Sequence, residues 1–240
     1  MQLIGMLDSP YVRRVAIALI VARTPFDHRP ISLFRHVDQF SKLNPLLKAP
    51  TLVTDDGTAL MDSSVILEYL ASLDPRIAAL KPSNAPGRLR ASRATGLALT
   101  VMEKAVQRHY ERALRPAEKR HEPWIDRVMG QLTGGLSALD AELPQSGWIS
   151  GELGLADISA VCAFSFIEGI VADLVDPKRY PNLAAFSARA EALPAFRRPG
   201  VRWGDGRRDC RLTSRRRGRG RGGGIDVADQ SESMRAVVAV

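Results

Sequence analysis

Residues 2–6 (Gln-Leu-Ile-Gly-Met) form a short, mostly apolar run without helical spacing, which predicts a buried strand. Asp8-Ser9-Pro10 then supplies the cap and proline that open helices, and the helix is predicted to run to about Arg23. Val12, Val15, Ala16 and Leu19 keep the helical period, while Ile17, Ile20 and Val21 make this segment apolar nearly all round, as in a helix buried between layers. A second strand is predicted near 28–33, and 34–48 reads as irregular or weakly helical, ending in Asn44-Pro45. Segments 51–54 and 58–61 flank Asp55-Asp56-Gly57, an Asp-Gly hairpin turn. Asp62-Ser63-Ser64 next caps a helix carrying Val65, Ile66, Tyr69, Leu70 and Leu73, stopped by Asp74-Pro75. The order is β-α-β, a hairpin, then α.

Residues 76–87, with Pro82, Pro86 and Gly87 among polar positions, read as a linker. Beyond it the pattern predicts helices near 88–115, 122–143, 155–173 and 181–192, and no convincing strand. The expected organisation is an α/β domain over 1–75, the linker 76–87, an all-helical domain over 88–196 and a tail over 197–240. The tail turns abruptly to Arg and Gly, cannot fill a core, and is expected to be disordered.

Charge changes the picture only once it is located. The chain of 240 residues has a net charge of +8, but residues 197–240 hold 12 Arg against 5 acidic residues, which leaves +1 for the first 196. The basic balance therefore says nothing about what the folded body binds. Three readings of the tail stand open: an Arg-Gly segment for RNA, a polybasic segment for a membrane surface, and, the one favoured, sequence without selected function. Nucleic acid is expected to bind only non-specifically, through the tail. Cys162 and Cys210 are too few and too far apart for a disulfide framework or a zinc site. A reducing, cytoplasmic setting fits. Arg13-Arg14 followed by an apolar stretch imitates a secretory signal, but apolar Leu3-Ile4 precede it and Arg23 closes it. No apolar run approaches the ~20 residues of a membrane span.

The segments Ser9 to Val15, 44–52, 62–70, 151–158 and Tyr180-Pro181-Asn182-Leu183, set in this element order, resemble the glutathione S-transferase family over about four-fifths of the chain. The resemblance implies a thioredoxin-like domain with a mixed four-stranded sheet, then an all-α domain. It also implies a homodimer, with glutathione and a small hydrophobic electrophile as partners. Glutathione enters as co-substrate, and no cofactor, metal or membrane partner is implied. Ser9 falls where serine-type members hold the glutathione sulfur by a hydroxyl. A donor hydroxyl at the positive end of a helix favours the thiolate, which is the reactive form. Ser9 also reads simply as a helix cap. By the same resemblance Pro50 is cis, so that the backbone of Ala49 pairs with the cysteinyl part of glutathione. The alternative is an ordinary trans proline opening a strand. Lys48 offers a cation to the glycine carboxylate, or is a solvated lysine. Asp62 and Ser63 receive the γ-glutamyl ammonium and carboxylate, or only cap their helix.

Two departures accompany the resemblance. Gly154 stands where the family usually has Ser or Thr, so half of the capping box around Asp157 is missing, with Leu153 and Ile158 as the staple pair. Leu47 stands where similar proteins often have glycine, and its side chain is expected to crowd the bound peptide. Arg13 and Arg14 read as solvent-facing, Cys162 as buried, and Trp124, Trp148, Phe164 and Phe166 as core. His28, His36, His109 and His121 have no metal-ligand spacing and read as structural or surface residues. The leading expectation is a glutathione transferase, with glutathione-dependent isomerisation or peroxide reduction as its variants. The alternative is a non-enzymatic module that docks to transcription or translation machinery. Electrophile-pocket residues cannot be named from the sequence.

Overall fold

In the computed structural model, which describes residues 1–172 and 175–197, the first half forms a sheet of order β2-β1-β3-β4. Its strands are β1 (Gln2–Ile4), β2 (Asp27–Arg29), β3 (Thr51–Val53) and β4 (Ala59–Met61). β1 runs parallel to β2 and antiparallel to β3, with Leu3 opposite both His28 and Leu52. Alternation along β1 decides which layer covers which face. Leu3 and Leu52 join the main core with α1 (Pro10–Val21) and α3 (Ser63–Leu73), whereas Ile4 points the other way, into a smaller cluster with Ile31 and Phe40. Phe40 comes from α2 (Val37–Ser41), the single short helix in the segment expected to be irregular or weakly helical.

The predicted linker contains one helical turn, α4 (Pro75–Ala78), and leads into α5 (Ala85–Ala113). α6 (Glu122–Glu142), α7 (Leu155–Ile170) and α8 (Pro181–Glu191) follow, with single 3-10 turns at Ala117–Lys119 and Pro177–Arg179. Ala94, Ala98, Val101 and Ala105 put small residues on one stripe of α5, which lets α6 and α7 approach closely. α7 is buried along its length from Leu155 to Ile167 and also packs on α1, so it is the element shared by both halves. The described residues thus form a thioredoxin-like domain followed by a helical one. Apart from Arg197, the expectation of a disordered tail lies outside the described residues.

Two sequence expectations are corrected. Arg13 and Arg14 do not face solvent: both are buried, because α1 lies between the sheet, α3 and α7 and has no solvent-facing side at its first turns. Arg13 Nη2 donates to both carboxylate oxygens of Glu191, at 2.7 and 2.9 Å. Trp124 is exposed on the first turn of α6 and is not core, whereas Phe164 and Phe166 are.

Gly154 has a structural reason. Asp157 accepts from the Gly154 and Ile149 N–H groups at 2.8 and 2.9 Å, while the next orphan donor, Leu155 N–H, is taken by the Leu80 carbonyl at 3.0 Å. That carbonyl lies 2.6 Å from where a Cβ on Gly154 would sit. Restoring the missing half of the box with Gly154→Ser is therefore expected to destabilise the protein by about 1–3 kcal/mol, through overpacking against backbone. Chemical denaturation checks it; an unchanged or raised midpoint refutes the account.

Candidate functional site

The 47–50 corner is held in shape by Asn44, which ties the loop ahead of β3. Asn44 is fully buried; its Nδ2 donates to Thr51 Oγ1 at 2.9 Å and to the Lys48 carbonyl at 3.3 Å, and its Oδ1 accepts from Leu46 N–H. Thr51 Oγ1 donates to the same Lys48 carbonyl at 2.7 Å. Lys48-Ala49-Pro50 is thereby presented at the head of β3, with the Ala49–Pro50 peptide cis. Leu47 adopts φ 49°, a left-handed backbone that favours glycine, and its side chain packs beside Ile4 and Phe40.

This corner, the start of α3 and the start of α1 enclose a cleft of about 650 Å³, and Ser9, Lys48, Ala49, Pro50, Asp62 and Ser63 all line it. Ser9 is the N-cap of α1. Its Oγ accepts from Val12 N–H at a long 3.4 Å, and its O–H donates to no protein group among the described residues. The cap reading and the thiol-binding reading are thus geometrically compatible. Asp62 caps α3 by accepting from Ser64 N–H at 2.8 Å, with φ 73° and ψ 125°, a region that non-glycine residues avoid at a cost of about 1–3 kcal/mol. Its other carboxylate oxygen is 3.9 Å from Lys48 Nζ. Both side chains are about half exposed, so this ion pair is worth at most about 1 kcal/mol. Ser63 is buried and its Oγ accepts from Arg14 Nη1 at 3.0 Å.

The opposite wall was not legible in the sequence. Leu33 and Phe34 from the loop after β2 face Val106 and Tyr110 of α5 and Phe166 and Ile170 of α7. The Phe34 and Tyr110 rings meet edge to face with centroids 5.7 Å apart. Asp8, Glu103 and His109 add polarity. Burial raises the Asp8 carboxyl and lowers the His109 imidazole from their usual values, each opposed by the charge of the other. The Tyr11 phenol, also in the cleft, is pushed up by burial and by Glu103, so it stays protonated at neutral pH. Cys162 lies buried in α7 away from this lining, and burial raises its thiol to about 11. Among the described residues no group of His, Cys, Asp and Glu is placed to hold a metal ion, and no helix is long and apolar enough to cross a membrane. The cleft can therefore hold a polar, zwitterionic peptide along one wall and an apolar group along the other.

The family model described as "Glutathione S-transferase, N-terminal domain" matches residues 3–79, and "Glutathione S-transferase, C-terminal domain" matches 122–189. The chain is 30% identical over 170 residues to the uncharacterized GST-like protein YibF of Escherichia coli, covering 70% of this chain and 82% of that one. It is also 30% identical over 198 residues to the maleylacetoacetate isomerase of Pseudomonas aeruginosa, covering 77% and 88%. Among solved structures, a glutathione S-transferase from Methylobacterium radiotolerans in complex with glutathione sulfonate superposes with a TM-score of 0.77 at 30% identity, covering 88% of this chain and 99% of that one. One from Methylobacillus flagellatus with glutathione bound gives 0.74 at 29%, covering 82% and 96%.

Proposed function

Because this chain belongs to the glutathione S-transferase family, we propose that its cleft binds glutathione and ionises the thiol for attack on a small hydrophobic electrophile. The observation that carries the reading is the convergence of Ser9, Lys48, Ala49, Pro50, Asp62 and Ser63, from three separate segments, on one cleft whose other wall is apolar. In it the Ser9 O–H donates to the thiolate at the N-terminus of α1, where the helix dipole adds to the effect. Lys48 takes the glycine carboxylate and Asp62 the γ-glutamyl ammonium. Their mutual contact is weak, so a ligand that brings one carboxylate and one ammonium replaces it at little cost. Ala49 offers its backbone to the cysteinyl segment, Ser63 its hydroxyl to the γ-glutamyl carboxylate. The sulfur then bonds to the electrophilic carbon, and the leaving group departs with its electron pair.

The apolar wall suits a hydrophobic electrophile, and its two carboxylates are compensated: Glu103 pairs with Lys104 Nζ at 2.9 Å, and Asp8 lies within electrostatic reach of Arg35 and His109. A homodimer is the expected assembly. Val65, Tyr69 and Leu73 stand exposed four residues apart along α3, with Leu89 exposed on α5, an apolar stripe that a second copy would cover.

The test is a calorimetric titration of glutathione into the full chain, with the mass in solution measured on the same sample. Saturable binding by a two-chain species, weakened about tenfold in Ser63→Ala by loss of a charge-assisted hydrogen bond, is expected. A folded protein that does not bind glutathione refutes the transferase reading and leaves the docking module.

A further inference from the structure

Arg14 is 3% exposed where α1, α3 and α7 meet, and each hydrogen bond recorded for it ends on a neutral hydroxyl. Nη1 donates to Ser63 Oγ and to Ser64 Oγ, both at 3.0 Å, and Nε donates to Ser159 Oγ at 2.8 Å. No carboxylate pairs with it among the described residues. Its neighbour Arg13, equally buried, has Glu191. Asp62 is within electrostatic reach but is engaged with Ser64 N–H and faces Lys48. Burial lowers the affinity of Arg14 for its proton, yet a guanidinium is not deprotonated in proteins and so cannot escape the cost of a buried, uncompensated charge.

Building on the reading of the cleft as a glutathione site, we propose that Arg14 is the counter-charge beneath the γ-glutamyl carboxylate of glutathione. It is a positioning residue that turns the Ser63 and Ser64 hydroxyls toward that carboxylate. A serine hydroxyl has one hydrogen to give. Arg14 occupies an oxygen lone pair on each of the two serines, and neither O–H donates to a protein group among the described residues. Both hydrogens are thus left for a ligand at the N-terminus of α3, where the first backbone N–H groups and the helix dipole already favour an anion. The positive charge sits one layer behind the atoms that touch the ligand. Ser159 fixes the guanidinium from behind: it accepts from Nε and donates to the Leu155 carbonyl at 2.5 Å, so α7 of the helical half holds the anion receiver of the sheet half in place.

The test crosses two proteins with two ligands by calorimetry: glutathione, and 4-aminobutanoyl-cysteinyl-glycine, which lacks only the γ-glutamyl carboxylate. Arg14→Gln is expected to weaken glutathione by about 10–100-fold and the analogue by less than about threefold, because the lost charge acts on the missing group. Should Arg14→Gln fail to fold, Ser159→Ala serves. It frees Nε with little change in volume, and roughly a three- to tenfold loss for glutathione alone is expected. Equal losses for both ligands, or no loss for either, overturn the role of Arg14 while leaving the glutathione site standing. Failure of the wild-type chain to bind glutathione overturns the site itself.

Discussion

Ser9→Ala is expected to lower conjugation turnover at neutral pH by about 10²–10³-fold, the usual loss when one donor to a developing or resting anion is removed. Glutathione affinity should change by less than about threefold, since in the proposed site Lys48, Ala49, Asp62 and Ser63 hold the tripeptide rather than its sulfur. The separation of the two effects follows from the geometry. The Ser9 O–H has no protein acceptor among the described residues, and its Oγ accepts only the long bond from Val12 N–H, so its removal costs one helix cap, about 0.5–2 kcal/mol, and leaves the fold standing. An unassisted thiol titrates near ~8.5, and the hydroxyl together with α1 holds the bound thiol below that value. The rate deficit of Ser9→Ala should therefore shrink as pH rises, because above its own midpoint the thiol ionises without help. Initial rates across pH, with the ultraviolet absorbance of the bound thiolate, measure both quantities. Tyr11→Phe is the control, since Tyr11 is another hydroxyl in the cleft and sits two residues on. A large loss in Tyr11→Phe with none in Ser9→Ala would reassign the donor.

Glu191→Ala is expected to destabilise the protein by about 2–3 kcal/mol, below the ~3–5 of a wholly buried pair because Glu191 keeps a third of its side chain in water. Its carboxylate receives Arg13 Nη2 on both oxygens and the Ser165 hydroxyl at 2.8 Å. Removal leaves a cationic side chain with 4% exposure without this carboxylate. Since Arg13 lies on α1 and Glu191 ends α8, the loss falls on the joint between the sheet half and the helical half. For a folded body of this size the melting temperature should fall by roughly 5–10 °C. Glu191→Gln, which keeps the shape and one acceptor, should lose less. A melting temperature within about 1 °C of wild type in Glu191→Ala would show that Arg13 does not depend on this partner.

The Arg13–Glu191 and Arg14–Ser159 pairs mark where sequence reasoning stopped. The elements were legible because each carried a local signature: the Asp-Gly turn between β3 and β4, Ser9-Pro10 ahead of α1, Asp62 ahead of α3. The polar wall of the cleft was legible for the same reason, since its six candidate residues flank those signatures and the fold brings them to one cleft. The burial of Arg13 and Arg14 was not. Cations in a first helical turn ordinarily seek water, and what overrides that preference here lies 145 and 178 residues away, in Ser159 and Glu191. The apolar wall of the cleft escaped notice for a related reason. Phe34, Val106, Tyr110 and Ile170 are ordinary apolar positions in their own elements, and only the packing of α5 and α7 over the loop after β2 makes them a surface. Leu47 is a mixed case. Its φ of 49° is a backbone that favours glycine, and leucine accepts that strain while packing into the smaller core.

The contact between the Leu80 carbonyl and the start of α7 bears on how such proteins can be recombined. A chimera that joined this chain's sheet half to the helical half of a relative with serine or threonine at the position of Gly154 would drive a side chain into the Leu80 carbonyl. Crossovers should therefore fall so that residue 80 and residue 154 descend from the same parent, which puts the productive breakpoint ahead of residue 80 and not in the 81–87 stretch of the apparent linker.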